Sequence, residues 1–180
     1  MAMAEPWQKA EIPGPMKALV ITKADVVPVM VKKAKNPLLV VGPEAVDTAL
    51  GNEKLIDWAI RVAKVAKITV VATAHIVGEF VKRGSPPTAW MPAMDIANRL
   101  KDRDWKGVDG KGAHDLALFL GIHYYVQWLI LSGLKHFSSL TTISLDRYYQ
   151  PHASWSFPNL SAKDWFENLK VIEEKLGGKK

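Results

Sequence analysis

Residues able to hold a ligand follow four short apolar runs of this chain. They are Gly42, Pro43, Thr73, Ala74, His75, Gly121, Ile122, His123, Tyr124 and Asp146. If the runs are parallel strands, their carboxyl ends meet at one edge of a sheet, where such folds bind ligands. A carboxylate there can bind a ribose hydroxyl, and Tyr124 or Tyr149 can stack on a flat ring or simply pack in the core. The candidate cofactor-binding residues are Gly42, Pro43, Thr73, Gly121, His123 and Asp146.

The first strand exit departs from the dinucleotide-binding pattern. The chain reads Gly42-Pro43-Glu44 where a nucleotide fold would carry G-x-G-x-x-G. Pro43 has no backbone N–H to offer a phosphate, and the Glu44 carboxylate would repel one. The competing interpretation of Gly42-Pro43 is a tight turn at the strand exit.

Other catalytic patterns are missing from the sequence. The segment 107–112 resembles a phosphate loop, but Trp105 stands where its first glycine belongs, and Gly112 replaces the magnesium-binding Ser or Thr. The five histidines lack metal-ligand spacing. The chain has no cysteine, which excludes thiol catalysis and the usual ligands of iron–sulfur clusters. The sequence therefore predicts neither a catalytic residue nor a metal ligand.

Apolar runs alternate with helical patterns along the chain. The predicted strands are 38–41, 68–72, 116–120 and 141–145. The predicted helices are one from Asp25, 52–64, 76–82, one from Pro92 with Met94, Ala97 and Leu100 on one face, 122–134, and one from Ser161 to Gly177. This alternation favours an α/β fold, a three-layer Rossmann-like parallel sheet with helices on both faces. We expect an extended arm at 1–21 and a single domain at 22–180.

Aromatic residues outside the core pattern suggest contacts with another chain. The candidate interface residues are Trp7, Trp90, Tyr149 and Trp155, several of them in proline-rich segments. The alternative is that these segments fold back onto their own domain. The predicted helix 122–134 is apolar on nearly every side, which is typical of a helix buried in the domain or against a partner.

Composition narrows the class of protein. The 180 residues are 48% hydrophobic, which suits one globular domain, and no apolar run reaches the ~18 residues that span a bilayer. The net charge of +6 permits nucleic-acid binding, but the lysine clusters fall at helix ends, where cations complement the helix dipole. We expect no nucleic-acid or membrane partner, and a cytoplasmic location.

Several segments, spread over most of the chain, resemble one known family. They are Pro6–Gln8, Ile12–Pro15, Lys33–Pro43, Asp115–Leu116, Gly121–Tyr125 and Phe157–Ser161. In this order they are similar to the epsilon subunit of the archaeal acetyl-CoA decarbonylase/synthase complex, a carbon monoxide dehydrogenase complex of one-carbon metabolism and methanogenesis. The first strand segment also resembles the FAD- or NAD-binding middle domain of thiamine-diphosphate enzymes.

The resemblance implies an accessory subunit without an active site of its own. Its partner would be the carbon monoxide dehydrogenase alpha subunit, which carries the nickel–iron–sulfur centres, in a homo-oligomer or an α2ε2 assembly. The resemblance also implies a second role, the passage of electrons to FAD, with no cofactor firmly bound. A free-standing enzyme of small-molecule metabolism is a third interpretation, for which the sequence offers no nucleophile or base.

Overall fold

The computed structural model describes residues 16–177, in which short strands and helices alternate. The strands are β1 (Leu19–Val20), β2 (Pro37–Val41), β3 (Ala49–Leu50), β4 (Glu53–Lys54), β5 (Thr69–Thr73), β6 (Ala89–Met91), β7 (Leu116–Leu120), β8 (Thr141–Ser144) and β9 (Trp155–Ser156). The helices are α1 (Val26–Lys33), α2 (Glu44–Asp47), α3 (Leu55–Ala66), α4 (Val77–Lys82), α5 (Ala93–Lys101), α6 (Tyr124–Phe137) and α7 (Ala162–Gly177), with a 3₁₀ turn at Ala74–Ile76.

Seven strands form one parallel sheet in the order β1-β9-β8-β7-β2-β5-β6. The central strands β2 and β7 are continuous apolar runs, since both of their faces are covered by helices. After β2 the chain builds β5 and β6 on one side, and then crosses to build β7 and β8 on the other. The order of the strands therefore reverses between β2 and β7.

Two apolar cores lie on opposite faces of this sheet. One face packs against α1, α3, α4 and α7, through buried side chains that include Trp58, Phe80 and Trp165. The other face packs against α5 and α6, through Phe119, Ile130 and other buried residues. This arrangement confirms the predicted three-layer, Rossmann-like α/β fold.

The helix predicted at 52–64 begins later than expected. Residues 49–54 form the antiparallel hairpin of β3 and β4, with Gly51 at a positive φ of 62° in its turn. The helix then starts at Leu55, where the Asp57 carboxylate accepts a hydrogen bond of 2.9 Å from the Lys54 N–H. The prediction missed this hairpin and the short helix α2 before it, because elements of two to four residues leave no periodic pattern.

Two short strands were also missed. β6 pairs with β5 at one edge of the sheet, and β9 pairs with β8, so the strand predicted at 141–145 is not the last one. β9 in turn pairs with β1, which places Leu19 and Val20 in the sheet and not in an arm ending at residue 21. Residues 1–15 lie outside the described part of the chain.

The two predicted capping residues stand at the starts of their helices, but only one of them makes the expected capping hydrogen bond. Asp25 precedes α1 as expected, but its side chain makes no capping bond and pairs with Lys175 at 2.9 Å. Ser161 does cap α7, accepting a hydrogen bond of 3.1 Å from the Asp164 N–H. On α5, Ala97 and Leu100 are buried as predicted, whereas Met94 is exposed.

Candidate functional site

The exits of β2, β7 and β8 are joined by hydrogen bonds at the point where the strand order reverses. The Gly42 N–H donates to the Leu120 carbonyl at 2.8 Å, and the Glu44 N–H donates to the Gly121 carbonyl at 2.8 Å. The Gly121 N–H in turn donates to Asp146 Oδ1 at 2.8 Å. We call Gly42, Glu44, Gly121 and Asp146 the strand-exit clasp.

Both glycines of the clasp are required by the close approach of the backbones. A Cβ on Gly42 would lie 2.4 Å from the Gly121 carbonyl oxygen. Gly121 has a φ of 68°, and a Cβ there would lie 2.6 Å from the Ala45 nitrogen. The absence of a side chain at both glycines therefore allows the two strand exits to come into contact.

The clasp occupies the position at which nucleotide folds hold a phosphate. The helix after β2 has only four residues, and the Glu44 and Ala45 N–H groups already donate to the carbonyls of Gly121 and Gly42. Pro43 contributes no donor. The backbone groups that a phosphate would need at this exit are thus bonded within the chain.

Asp146 is the half-buried carboxylate of the clasp. Its Oδ2 atom is buried and has no hydrogen-bond partner among the described residues. The pKa of Asp146 is raised to about 7, chiefly by burial and also by the charge of nearby Glu44, against the opposing effects of hydrogen bonds from the Gly121 N–H and the Gln127 side chain. Asp146 can therefore exchange a proton near neutral pH.

The outer side of the clasp carries an exposed acid–imidazole pair. His123 Nδ1 lies 2.8 Å from the Glu44 carboxylate, and the imidazole stacks on the ring of Tyr125. Both Glu44 and His123 are about half exposed, so the pair lies at the surface of the exit.

A cleft of about 690 Å³ opens beside the clasp. Its walls combine clasp carboxylates, cations, aromatic rings and aliphatic groups, contributed by Glu44, Asp146, Arg147, Lys163, Tyr148, Trp165, Phe166, Leu50 and neighbouring residues. Arg147 lies over the Tyr148 ring, 4.5 Å from its centroid, and the Trp165 indole N–H donates to the Leu145 carbonyl. A cleft of this size and mixed lining can accept a small ligand with a flat ring and an anionic group.

Five of the six predicted cofactor-binding residues lie at or beside the clasp, and two of those line the cleft. Gly121 and Asp146 line it, whereas Gly42 and Pro43 lie behind it in the turn between β2 and α2. Thr73 ends β5 on the far side of β2, and its buried hydroxyl makes no hydrogen bond within residues 16–177. His123 lies on the exposed side with Glu44.

A buried group of polar residues under the clasp escaped the sequence reasoning. The Gln127 amide donates to the Ser144 hydroxyl at 3.2 Å, and Gln150 donates to the Gln127 side-chain oxygen at 3.3 Å. All three residues are buried. The one signal available was a glutamine in the otherwise apolar helix α6, which indicates a polar residue with an internal partner.

The predicted interface residues lie in different surroundings. Trp90 is exposed on the edge strand β6, and Trp155 is partly buried in β9 against the core. Tyr149 is buried and its hydroxyl donates to the Ala18 carbonyl at 2.7 Å, so it is a core residue and not a surface anchor. Trp7 lies outside the described residues.

Residues 16–177 offer neither a metal-binding cluster nor a membrane-spanning helix. No group of three or more acidic or histidine side chains is close enough to hold a metal ion in that part of the chain. None of the helices described there combines the length and the apolar composition needed to cross a bilayer.

Sequence comparison decides the family. The model of the family "CO dehydrogenase beta subunit/acetyl-CoA synthase epsilon subunit" matches residues 1–173. This chain belongs to that family.

Individual relatives agree with the family match. The acetyl-CoA decarbonylase/synthase complex subunit epsilon of Methanothermobacter thermautotrophicus is 34% identical over 170 residues, which are 93% of each chain. Subunit epsilon 1 of Archaeoglobus fulgidus is 41% identical over 86% of this chain and 81% of its own, and subunit epsilon of Methanothrix soehngenii is 39% identical over 87% and 81%. All three relatives are epsilon subunits of the acetyl-CoA decarbonylase/synthase complex.

Proposed function

We propose that this chain is a non-catalytic accessory subunit that binds and stabilises the carbon monoxide dehydrogenase subunit of the acetyl-CoA decarbonylase/synthase complex. Its partner would be the alpha subunit, with two copies of each chain in an α2ε2 assembly, in the cytoplasm. Membership of the epsilon family supports a role in the complex, and the architecture of the strand-exit clasp supports a structural one.

The observation that carries the structural role is the use of the clasp by the chain itself. In a nucleotide fold this point presents free N–H groups to a ligand. Here the N–H groups of Gly42, Glu44 and Gly121 bind Leu120, Gly121 and Asp146 respectively. The chain has the fold of nucleotide-binding proteins, but the position at which those proteins hold a phosphate connects three strand exits instead.

Co-expression of the alpha subunit with and without this chain tests the proposal. We expect the two chains to co-purify at equal stoichiometry and the alpha subunit to unfold at a higher temperature in the complex, because a bound partner stabilises the folded state by mass action. Absence of association, with no change in thermal stability or carbon monoxide oxidation, would exclude this role.

The second candidate is a flavin-binding subunit that passes electrons from the cluster subunit to FAD. The cleft of about 690 Å³ favours it, since Tyr148 and Phe166 offer ring surfaces while Arg147 and Lys163 offer cations for a diphosphate. This cleft lies beside the clasp, so a ligand could bind there without the N–H groups that the clasp consumes.

Titration with FAD separates the two candidates. Flavin fluorescence would be quenched on binding next to the aromatic walls, and the change would be reduced in a Lys163→Glu variant. The titration is done with this chain alone and with its complex with the alpha subunit. Unchanged fluorescence at high micromolar FAD in both samples would exclude the flavin role and leave the accessory role in place.

A further inference from the structure

An exposed apolar ridge runs along helix α6. Tyr125, Leu129 and Phe137 are 67%, 55% and 69% exposed, and with Gly133 they occur at intervals of four residues. Residues four apart follow one another on successive turns of a helix, so these four positions form one row of ~18 Å with a gap at Gly133. We call these four residues the α6 ridge.

The two helical layers of the protein differ in their surface chemistry. On the layer of α1, α3, α4 and α7, six ion pairs join charged side chains, for example the partly buried Arg83 and Asp57 at 2.7 Å. Within α5 and α6 there is one ion pair among the described residues, between Arg99 and Asp95, and the His123–Glu44 pair stands at the start of α6. Aromatic enrichment with few charges is the composition of an interface core, and it marks the α6 layer.

No close contact among the described residues requires a glycine at position 133. Gly133 lies inside α6, where glycine costs about 1 kcal/mol relative to alanine. A Cβ there would meet only the Lys101 Cδ atom, at 3.9 Å, which is an ordinary contact. A missing side chain in the middle of the ridge permits close approach of a second helix, as in packing of ridges into grooves.

The charges on the two flanks of α6 indicate the occupant. Lys101 lies next to Gly133, whereas Lys135 lies on the opposite flank of the helix, because residues two apart do not share a helix face. α6 carries no carboxylate. Neither lysine has a carboxylate within 4.0 Å among the described residues, and Lys135 donates instead to the Met16 carbonyl. A partner surface with acidic side chains beside an apolar stripe would complement this arrangement.

We infer that the α6 ridge is the surface on which the carbon monoxide dehydrogenase subunit docks, through an amphipathic helix with an apolar stripe and flanking Asp or Glu residues. This inference rests on the proposed accessory function and adds the surface used. The helix would cross α6 over Gly133, with its acidic side chains toward Lys101 and Lys135.

The experiment measures the affinity of full-length variants for the carbon monoxide dehydrogenase subunit. Leu129→Glu places a charge on the ridge, and Val29→Glu places one at a similarly exposed position of α1 in the opposite layer. Gly133→Ala and Gly78→Ala form a second pair, because a Cβ at Gly78 would meet nothing within 4 Å. We expect both ridge variants to bind at least tenfold more weakly, and both controls to bind as the original chain does.

The possible results lead to different conclusions. If the original chain and all four variants bind equally, the subunit docks elsewhere, and the accessory function stands without the ridge. If the original chain does not bind at all, the accessory function itself fails. If light scattering shows a homodimer of this chain that Leu129→Glu dissociates while affinity for the larger subunit is unchanged, a second copy occupies the ridge and the inference is overturned.

Thermal unfolding of the Gly133→Ala variant shows whether weaker binding results from loss of structure. Alanine should raise the stability of the isolated chain because it favours the helix. A variant that is more stable and yet binds more weakly indicates that the new methyl group holds the partner helix away from the ridge. General loss of structure would instead lower both stability and affinity.

Discussion

Asp146 accepts a hydrogen bond from the backbone of Gly121, and that single interaction of 2.8 Å ties the exit of β8 to the exit of β7. The same glycine accepts the Glu44 N–H on its other side. Three strand exits are thus connected through one residue whose φ is positive. The position at which related folds bind ligands is here a structural junction.

The stability of the protein should depend on the protonation of Asp146. Its pKa is about 7 in the folded chain and near 3.8 in an unfolded one, so the folded state holds its proton more tightly between these values. The free energy of unfolding should therefore fall as pH rises from about 4 to about 7, by up to about 4 kcal/mol from this group. Urea unfolding across this pH range measures the change.

An Asp146→Asn variant tests whether Asp146 causes the pH dependence of the free energy of unfolding. Its amide oxygen can still accept the Gly121 N–H, but the side chain no longer titrates. Relative to the original chain, the variant should become more stable as the pH is raised from about 4 to about 7. Parallel stability curves for the two proteins would show that Asp146 does not titrate in this range.

Alanine at Gly42 should damage the clasp. Its Cβ would overlap the Gly121 carbonyl and the Ile122 backbone, both of which belong to a neighbouring strand exit that cannot easily move. We expect a decrease of about 3 kcal/mol in the free energy of unfolding. The control is Gly78→Ala, which should be neutral or slightly stabilising. Equal stability of the two variants would mean that the exits are not held together as described.

Removal of the Tyr149 hydroxyl should affect folding and not assembly. Tyr149→Phe removes the buried hydrogen bond to the Ala18 carbonyl, which costs about 1–2 kcal/mol. Affinity for the carbon monoxide dehydrogenase subunit should stay unchanged, since the side chain is inside the domain. Isothermal titration calorimetry with the folded variant measures this affinity. A large decrease in affinity would indicate that Tyr149 belongs to the interface.

The Arg61 guanidinium should contribute a small, salt-dependent stabilisation. It contacts Glu53 and Glu173, each at 2.7 Å, and so links α3 to the hairpin and to α7. The group is partly exposed, so Arg61→Ala should cost about 1 kcal/mol, and less at high salt because the charges are screened. Chemical denaturation at low and high sodium chloride measures both values.

The sequence predicted those elements that carry a repeating pattern. β2 and β7 are runs of consecutive buried apolar residues, and Trp165, Leu169, Ile172 and Leu176 of α7 recur at helical spacing. β9 has only two residues and forms because β1 and β8 lie on either side of it. Such a strand is created by tertiary contacts, so local patterns could not reveal it.

The location of the candidate site could be predicted from the sequence, but its hydrogen bonds could not. Parallel strand exits must share an edge, so Gly42, Gly121 and Asp146 were expected to lie near one another. Gly121 bonds to both Glu44 and Asp146 because β7 lies between β2 and β8. This strand order could not be predicted from the sequence. The α6 ridge was foreseeable only as an apolar helix, since the exposed face depends on the packing of α5.

Pairing of β1 with β9 has a consequence for how the protein is made. Leu19 is synthesised early but can pair only after Trp155 has left the ribosome. This edge of the sheet therefore cannot be completed before β9 has been synthesised, and contacts so distant in sequence are expected to slow folding. The nascent chain would keep β1 without its partner strand over the intervening residues.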